Sequence, residues 1–332
     1  MAEIADKAGH IVKDLEAACG RLAAVKAAVG KVIFGQDEVI ELALIAVMAG
    51  GHALLVGAPG LAKTKLAISL GRALGLSEKR VQFTPDLMPA DILGSEVLEE
   101  SAAGTRQFRF VPGPVFCQLM MADEINRASP RTQSALLQAM QEHHITVAGV
   151  RHDLPRPFHV LATQNPIEQE GTYPLPEAQL DRFLVQIDVP YPSLEAERRM
   201  LFATTGADEA EADAVLSTAE LLNVQRLTRQ IPVGEQVAEA ILRIVRAARP
   251  GPDADAPVDM AVAWGPSPRA SQALMLGARA RALLQGRLSP SIDDVAALVS
   301  PVFKHRMALN FAARAEGHTI DSVVAQFVAK LG

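Results

Sequence analysis

Residues 54–64 read Leu-Leu-Val-Gly-Ala-Pro-Gly-Leu-Ala-Lys-Thr, a short apolar run followed by a glycine-rich turn and a Lys-Thr pair. The apolar run predicts a buried strand, and the Lys-Thr pair predicts the start of a helix. Such a turn directs backbone NH groups inward beside a helix N-terminus, which favours phosphate. The alternative is an ordinary Gly/Pro turn between a strand and a helix. The phosphate-binding hypothesis covers Gly57, Ala58, Pro59, Gly60, Leu61, Ala62, Lys63 and Thr64.

The general phosphate-loop pattern is G-x-x-x-x-G-K-[ST], and this chain departs from it at one position. Ala62 stands where the second glycine is expected. The remaining chemical groups are present, because the Lys63 ammonium can reach the outer phosphates and the Thr64 hydroxyl can hold Mg²⁺. The stretch therefore predicts a site for a nucleoside triphosphate and Mg²⁺.

A second candidate element lies further along the chain. The run from Val115 to Ala122 is mostly apolar and predicts a buried parallel strand, which ends in Asp123 and Glu124. A nucleotide-hydrolysing enzyme needs a carboxylate for its metal and a group that orients the attacking water. Asp123 suits the first role and Glu124 the second. The alternative is an acidic pair that only begins the next loop.

Two further polar residues lie at the ends of predicted strands. Asn165 follows a core strand predicted at residues 158–163, and it could bond the γ-phosphate or the attacking water. The alternative is an asparagine that forms a turn before proline. Arg182 lies at a helix-to-strand corner, where an arginine can point into the site of a neighbouring chain. Its alternative is an ion pair with Asp181 or another nearby acid.

Arg269 is predicted to lie in the first turn of a helix. Ser267 is a favourable N-cap and Pro268 a favourable first helical residue. A cation in the first turn is unfavourable for the helix dipole, so a bound anion would compensate for it. The alternative is an exposed arginine that lies along the surface.

Composition limits the classes of protein that the chain can belong to. Its 332 residues predict about two domains, and a hydrophobic content of 49% is enough for two cores. Lys and Arg number 32 against 38 Asp and Glu, so the net charge is −6, and aromatic residues make up only 4%. Both values disfavour a nucleic-acid-binding surface.

The chain shows no pattern typical of export or membrane insertion. Cys19 and Cys117 are its two cysteines, which do not suggest a disulfide framework. The first twenty residues interleave charged and small apolar residues, unlike a signal peptide. The apolar stretch 42–49 is far shorter than the ~20 residues that span a bilayer. We therefore expect no membrane segment and a cytoplasmic location.

Taken together, these motifs resemble those of AAA+ ATPases, and among them the MoxR-type branch, which carries an insert in its second helix. Ala62 before the lysine is usual in that branch. The fold that the resemblance implies is α/β, an AAA+ P-loop core with a parallel sheet followed by a smaller all-α lid domain. The similarity extends from about residue 31 to about residue 328, and the motifs that carry it are residues 51–64, 122–128, 162–166 and 176–183.

The resemblance also implies domain boundaries and residue roles. It implies an N-terminal helix at 1–30, a nucleotide-binding core at 31–190 and a helical lid at 191–332. Asn165 then matches the family's sensor-1 residue, Arg182 its arginine finger and Arg269 its sensor-2 arginine. The resemblance also implies that the linker residues Gly35 and Gln36 lie near the adenine. The alternative is a plain loop ahead of a helix that begins with Asp37.

An insert with a hairpin is expected at about residues 86–112. Residues 107–111 alternate so that Phe108 and Phe110 face one way and Gln107 and Arg109 the other. One interpretation is a substrate-facing loop. The other is a hairpin that packs its phenylalanines on the domain.

The expected activity is hydrolysis of ATP by in-line attack of water, with ATP and Mg²⁺ as the bound groups. Glu124 and Asn165 would place the water, and Arg269 together with Arg182 from a neighbouring chain would stabilise the developing charge. The resemblance implies a homo-oligomeric ring, expected to be hexameric, that remodels or matures a partner, in some relatives with metal insertion. A partner with a von Willebrand factor A domain is expected. The alternatives are a nucleotide-dependent binding switch with slow turnover and a nucleic-acid motor.

Overall fold

A computed structural model gives the fold and describes residues 2–100, 106–167, 171–205, 210–251 and 260–329, with side chains from residue 12 onward. The helices are α1 (Ala2–Gly30), α2 (Asp37–Met48), α3 (Lys63–Ala73), α4 (Pro89–Leu93), α5 (Pro130–Glu142), α6 (Glu177–Leu180), α7 (Leu194–Thr204), α8 (Thr218–Gln230), α9 (Glu235–Ala247), α10 (Pro268–Leu284), α11 (Ile292–Phe303), α12 (Phe311–Ala315) and α13 (Ile320–Val328). The strands are β1 (Ala53–Val56), β2 (Glu78–Gln82), β3 (Gly94–Glu100), β4 (Arg106–Pro112), β5 (Leu119–Asp123), β6 (His144–Val147), β7 (Val150–Asp153), β8 (His159–Gln164), β9 (Val185–Asp188), β10 (Val262–Trp264) and β11 (Ala308–Leu309).

The centre of the described chain is a parallel sheet in the order β2-β5-β8-β1-β9. Alternate residues of its strands point to opposite faces and enter two separate apolar clusters. Leu55 and Leu161 belong to the first cluster, whereas Leu54 and Val160 belong to the second. Burial on both faces explains why the sequence of these strands is almost continuously apolar.

Helices from both halves of the chain cover the first face of the sheet. The first cluster joins residues of α1, α2 and α3 to residues of α8, α9, α10, α11 and α13. The second face is covered mainly by α5 and by the segment that precedes β5. The fold class expected from the sequence, a parallel-sheet core followed by a helical domain, is confirmed.

Strand β5 is shorter than the sequence predicts. The strand was expected to begin at Val115, but β5 begins at Leu119, and residues 115–118 form turns. The amide of Val115 donates to Ile92 O at 3.1 Å, and that of Phe116 donates to Gly113 O at 3.1 Å. The apolar residues of this segment are buried because they pack in the second cluster, not because they extend the strand.

The helical domain contains one pair of strands that the sequence does not predict. β10 pairs antiparallel with β11, so the lid is not strictly all-α within the described residues. Both strands are short, at three and two residues, which is below the length at which alternation gives a signal. β10 leads directly into the turn before α10.

Ion pairs connect the helices of the core to those of the lid. Glu41 on α2 contacts Lys26 at 2.6 Å and Arg281 on α10 at 3.5 Å. Arg281 in turn bonds the fully buried Asp294 at 2.6 Å, and Arg287 bonds the same carboxylate at 2.7 Å. A buried carboxylate is tolerated only when it is paired in this way. We call these five residues the core–lid ion-pair chain.

The insert forms the predicted antiparallel pair of β3 and β4; residues 101–105, between the two strands, lie outside the described residues. Its two phenylalanines differ in surroundings. Phe110 packs edge-on against Phe116 and stacks on His152 with ring centres 3.9 Å apart. Phe108 is 68% exposed and lies opposite Leu98. Phe108 and Phe110 are two residues apart in β4 and so lie on one face, as predicted, but Phe110 packs on the domain whereas Phe108 is largely exposed.

Candidate functional site

The predicted phosphate loop connects the C-terminal end of β1 to the first residue of α3. Gly57 is held between neighbouring strands, because a Cβ there would lie 2.8 Å from Val189 O. Lys63 folds over the loop, and its ammonium donates to Gly57 O at 2.6 Å and to Ala58 O at 2.9 Å. Burial lowers the pKa of Lys63, and the charges of Asp123 and Glu124 oppose that shift.

Ala62 occupies the position where the general pattern has glycine. Its backbone is left-handed, with φ of 56°, and it is the N-cap of α3. Glycine adopts this conformation without a Cβ penalty, which explains its use in the general pattern. Alanine therefore keeps the shape of the loop at a cost in backbone strain.

Asp123 is the last residue of β5 and is 8% exposed. Its Oδ1 accepts a hydrogen bond from Thr163 Oγ1 at 2.6 Å. Its Oδ2 accepts two bonds from Arg80 on β2, from Nη2 at 2.7 Å and from Nε at 3.2 Å. Both carboxylate oxygens thus have partners on the two strands that flank β5.

Glu124 follows in a left-handed backbone conformation with φ of 54°. Its amide donates to Thr163 Oγ1 at 2.8 Å, so one hydroxyl connects both acidic residues. Its Oε2 accepts from Gln82 Nε2 at 2.6 Å and from Arg127 Nη1 at 2.9 Å. The unusual backbone directs the Glu124 side chain away from the strand direction, a form of strain that is frequent at functional sites.

Asn165 follows β8, which lies between β5 and β1 in the sheet. The structure therefore places it between the acidic pair and the phosphate loop. It is 5% exposed, and its Oδ1 accepts from the amide of Ile167 at 3.1 Å. The turn that was the alternative interpretation is thus present, and the position beside the phosphate loop is present as well.

An apolar pocket lies beside the phosphate loop, between the linker after α1 and helix α7. Gly35 in this linker has φ of 69°, and a Cβ there would lie 2.3 Å from Ala196 on α7, so the linker and the helix approach closely. Gln36 donates to Leu61 O at 3.3 Å through Nε2, and its buried Oε1 has no partner among the described residues. The apolar side chains that line the pocket are Val32, Ile33, Phe34, Tyr191, Pro192 and Met200.

These features fit an adenine nucleotide with Mg²⁺. An apolar pocket suits a purine ring, and an unpaired amide oxygen suits the amino donor that adenine carries. Mg²⁺ usually takes one or two protein oxygens together with substrate phosphates. Thr64 and Asp123 provide such oxygens, and the described residues contain no group of three His, Cys, Asp or Glu that could hold a metal by itself.

Arg182 and Arg269 lie at the opposite edge of the sheet. Both line a cleft with Gly51 and His52, which precede β1. Arg182 donates to Leu137 O, and burial, with the charge of Arg269, lowers its pKa. As expected from the sequence, Ser267 caps α10 by accepting from the Arg269 amide at 3.1 Å.

Asp181 is the anion of this cleft. It accepts from Arg306 Nε at 2.7 Å and from Ser267 Oγ at 2.8 Å, and Arg269 Nε lies 4.0 Å away. Arg306 is only 2% exposed. The alternative for Arg182, an ion pair with Asp181, is not what the structure shows, because the partner of Asp181 is Arg306.

The two edges are separated by the length of β1. The six residue-to-residue steps from Gly51 to Gly57 in an extended chain span about 20 Å. The family resemblance implies that Arg269 is the sensor-2 arginine, and the structure places it in the cleft with Arg182 of the same chain, away from that chain's phosphate loop. The reason is that α10 packs on α1 and α2 and starts near the N-terminal end of β9.

Sequence reasoning did not find four residues that contact the predicted ones. Arg80, Gln82 and Thr163 bond the acidic pair, and Arg306 bonds Asp181. Arg80 and Gln82 alternate on β2 beside β5, but nothing in the local sequence shows which strand pairs with β2. Thr163 at the end of a core strand was the detectable signal, since a hydroxyl there must find a partner.

A parallel sheet with a phosphate loop after one of its inner strands defines a P-loop nucleotide-binding domain. Residues 52–185 match the family model described as "ATPase family associated with various cellular activities (AAA)", and residues 255–327 match that of the AAA lid domain. Chaperone MoxR1 of Mycobacterium tuberculosis is 42% identical over 297 residues, which cover 89% of this chain and 78% of that protein. Protein MoxR of Paracoccus denitrificans is 34% identical, over 86% of this chain and 88% of its own length.

A solved crystal structure is similar over almost the whole chain. It comes from Cytophaga hutchinsonii, its assignment as an ATPase is provisional, and its TM-score is 0.88 at 34% identity, over 96% of this chain and 97% of that one. The chain belongs to the MoxR-type branch of the AAA ATPases. Among the described residues, no helix is long and apolar enough to cross a membrane.

Proposed function

We propose that the chain binds ATP with Mg²⁺ and hydrolyses it in a homo-oligomeric ring, in which each active site uses residues from two chains. The family membership and the phosphate loop support ATP as the substrate. Mg²⁺ neutralises phosphate charge when bound, and Thr64 and Asp123 would hold it. Lys63 exchanges its bonds to the loop carbonyls for bonds to the outer phosphates.

The reaction assigned to the C-terminal edge is in-line attack of water on the γ-phosphate. Glu124 accepts a hydrogen bond from this water and orients it, and its charge already acts on Lys63 of the phosphate loop. Asn165, between the acidic pair and the loop, is in a position to bond the water or a γ-phosphate oxygen. Gln82 and Arg127 fix the Glu124 carboxylate.

The observation that carries the proposal is the position of Arg182 and Arg269 about 20 Å from the phosphate loop of their own chain. The guanidinium groups of Arg182 and Arg269 repel each other in this cleft. The carboxylate of Asp181 is already paired with Arg306. A phosphate group from a neighbouring chain would supply the missing negative charge. Such a head-to-tail contact repeats around a closed ring, for which six subunits are the number expected in this family.

Mixing of inactive variants tests the shared site. Arg182→Ala and Glu124→Gln chains should each be inactive, since an arginine supplied in trans can contribute ~10³ to 10⁵ in rate and a positioned base ~10² to 10⁴. Mixed rings should regain part of the activity, because some interfaces then pair an intact Glu124 with an intact Arg182. Rings shown by mass spectrometry to be mixed and still inactive would contradict the proposal.

We assign the ring a chaperone-like role on a partner protein, which the similarity to a protein named as a chaperone supports. The hairpin supplies a candidate contact, because Phe108 is 68% exposed and its cross-strand neighbour Leu98 is 51% exposed. A partner with a von Willebrand factor A domain, and metal insertion into a client enzyme, extend this role by the family resemblance. Pull-down with a Glu124→Gln ring, which should hold ATP and its client together, tests it.

A further inference from the structure

Strand β2 contacts both acidic residues through two of its side chains. Arg80 reaches Asp123 with two hydrogen bonds, the shorter at 2.7 Å, and Gln82 reaches Glu124 at 2.6 Å. The two β2 side chains are also joined, because Arg80 Nη2 donates to Gln82 Oε1 at 3.2 Å. One guanidinium nitrogen is therefore shared between a carboxylate and an amide oxygen.

The Asp123 carboxylate has little freedom to move. Its side chain is 12% exposed, and Thr163 fixes Oδ1 at 2.6 Å. The second oxygen, Oδ2, is bonded only to Arg80 in the described structure. A divalent cation held through Oδ2, directly or through a water molecule, would lie a few ångströms from the guanidinium. Like charges at that distance repel strongly in a partly buried site.

Arg80 is the member of the pair that can move. Its side chain is 52% exposed, and ion pairs with an exposed member contribute little to stability. Gln82 Oε1 is already within hydrogen-bond distance of the same nitrogen. It provides a second acceptor for the guanidinium when Asp123 is released.

We propose that Arg80 is a positioning residue that competes with Mg²⁺ for Asp123. In the metal-free chain it keeps the buried carboxylate paired, and it turns to Gln82 and solvent when the metal binds. Arg80 thereby raises the Mg²⁺ concentration at which the site is filled. The inference rests on the proposed function, since it takes Asp123 as a metal-holding residue.

Mn²⁺ binding to the ADP-saturated chain provides the test. Mn²⁺ prefers the same oxygen ligands as Mg²⁺, and electron paramagnetic resonance measures its free concentration without any turnover. Arg80→Met removes the charge and keeps an apolar stem, so the apparent Kd for Mn²⁺ should fall about 3- to 10-fold. Arg151→Met is the matched control, because Arg151 forms an exposed ion pair with Asp153 at 2.8 Å outside the site. Its Kd should equal that of the wild type.

An unchanged or weaker Mn²⁺ affinity in Arg80→Met would overturn the inference, because a purely structural ion pair predicts that result. Arg80→Gln keeps a donor for Asp123 without the charge, and it decides the question by the same criterion if Arg80→Met does not fold. ADP affinity without metal is measured in every variant. Failure of the wild type to bind ADP would refute the proposed function, whereas normal ADP binding with unchanged Mn²⁺ affinity would refute only the role of Arg80.

Discussion

The two edges of the parallel sheet carry opposite kinds of chemistry. The C-terminal edge holds the phosphate loop and the acidic pair, Asp123 and Glu124, which are the residues proposed to hold the metal and to orient the water. The N-terminal edge holds Arg182, Arg269 and Arg306 in one cleft with Asp181, and the charge of Glu142 also acts on Arg182. Under the proposed function, the C-terminal edge would bind the nucleotide of its own chain, and the N-terminal edge would supply cations to the nucleotide of a neighbouring chain. Each chain would then contribute halves of two different sites.

Removal of one cation at each edge should give the largest contrast. Arg269→Ala should lower the hydrolysis rate by ~10³-fold or more, as expected for charge stabilisation in trans. It should leave the affinity of the isolated chain for nucleotide unchanged. Lys63→Ala should weaken nucleotide binding itself. A fluorescent-nucleotide titration of monomeric protein, together with steady-state hydrolysis by the ring, separates the two effects. If Arg269→Ala weakens binding to the monomer, Arg269 belongs to its own chain's site and the two-edge description fails.

Acid should destabilise the N-terminal edge selectively. His52 accepts the Val160 amide at 3.0 Å, and Gln225 donates to His159 at 3.0 Å, so both buried rings are neutral. Burial lowers the pKa of His52 to about 3 and that of His159 to about 4. Both pKa values lie below that of histidine in the unfolded chain, about 6.5. The contribution of the two neutral rings to stability is therefore fully present above pH 6.5 and is lost as the pH falls below it. At pH 5 the loss should be about 2 kcal/mol per ring.

Denaturant unfolding between pH 7 and pH 5 measures this loss. His159→Gln should reduce the slope of stability against pH. His318→Gln, at a histidine whose side chain is 46% exposed, is the matched control and should keep the wild-type slope. A stability that is flat from pH 7 to pH 5 would show that these histidines do not remain neutral in the fold.

The hairpin of β3 and β4 should affect neither the nucleotide site at the C-terminal edge nor the arginine cleft at the N-terminal edge. Phe110→Ala should lower the free energy of unfolding by about 1 to 3 kcal/mol, less than for a fully buried phenylalanine because Phe110 is only partly buried. Phe108→Ala should change it by less than about 0.5 kcal/mol, as expected for an exposed side chain. Both variants should keep basal hydrolysis, and Phe108→Ala should lose stimulation by a client. Loss of basal hydrolysis in Phe108→Ala would place the hairpin in the shared site.

The smallest expected effect concerns strain in the phosphate loop. Ala62→Gly should relieve the left-handed backbone and stabilise the chain by up to about 1 kcal/mol, a gain that the greater freedom of glycine in the unfolded chain reduces. Ala58→Gly, in the same loop but without positive φ, should destabilise it. Thermal melting of the two variants measures the difference. A lower melting temperature for Ala62→Gly would show that the loop stores no strain at this residue.

Local chemistry explains what the sequence predicts correctly. The strand, the turn and the start of α3 are encoded within residues 54–64, and the cap of α10 is encoded by Ser267 and Pro268. Such features depend on neighbours in the chain, so one sequence is enough to find them.

Long-range pairing explains what the sequence does not predict. The contacts of Arg80 and Gln82 depend on β2 lying beside β5. The proximity of Arg269 to Arg182 depends on where α10 packs. The false extension of β5 to Val115 arose because a buried turn and a buried strand have the same apolar composition. The roles of the predicted site residues remain predictions, and only their positions are now known.

The core–lid ion-pair chain bears on how the protein could perform mechanical work. Arg281 and Arg287 meet on the fully buried Asp294, and Arg281 also contacts Glu41 on α2. Both domains share one apolar cluster as well, and domains joined by a large apolar interface do not swing freely. We expect the two domains of each chain to move together as one rigid body. In the proposed ring, the flexible contacts would then lie between subunits, where the two edges of neighbouring sheets would meet.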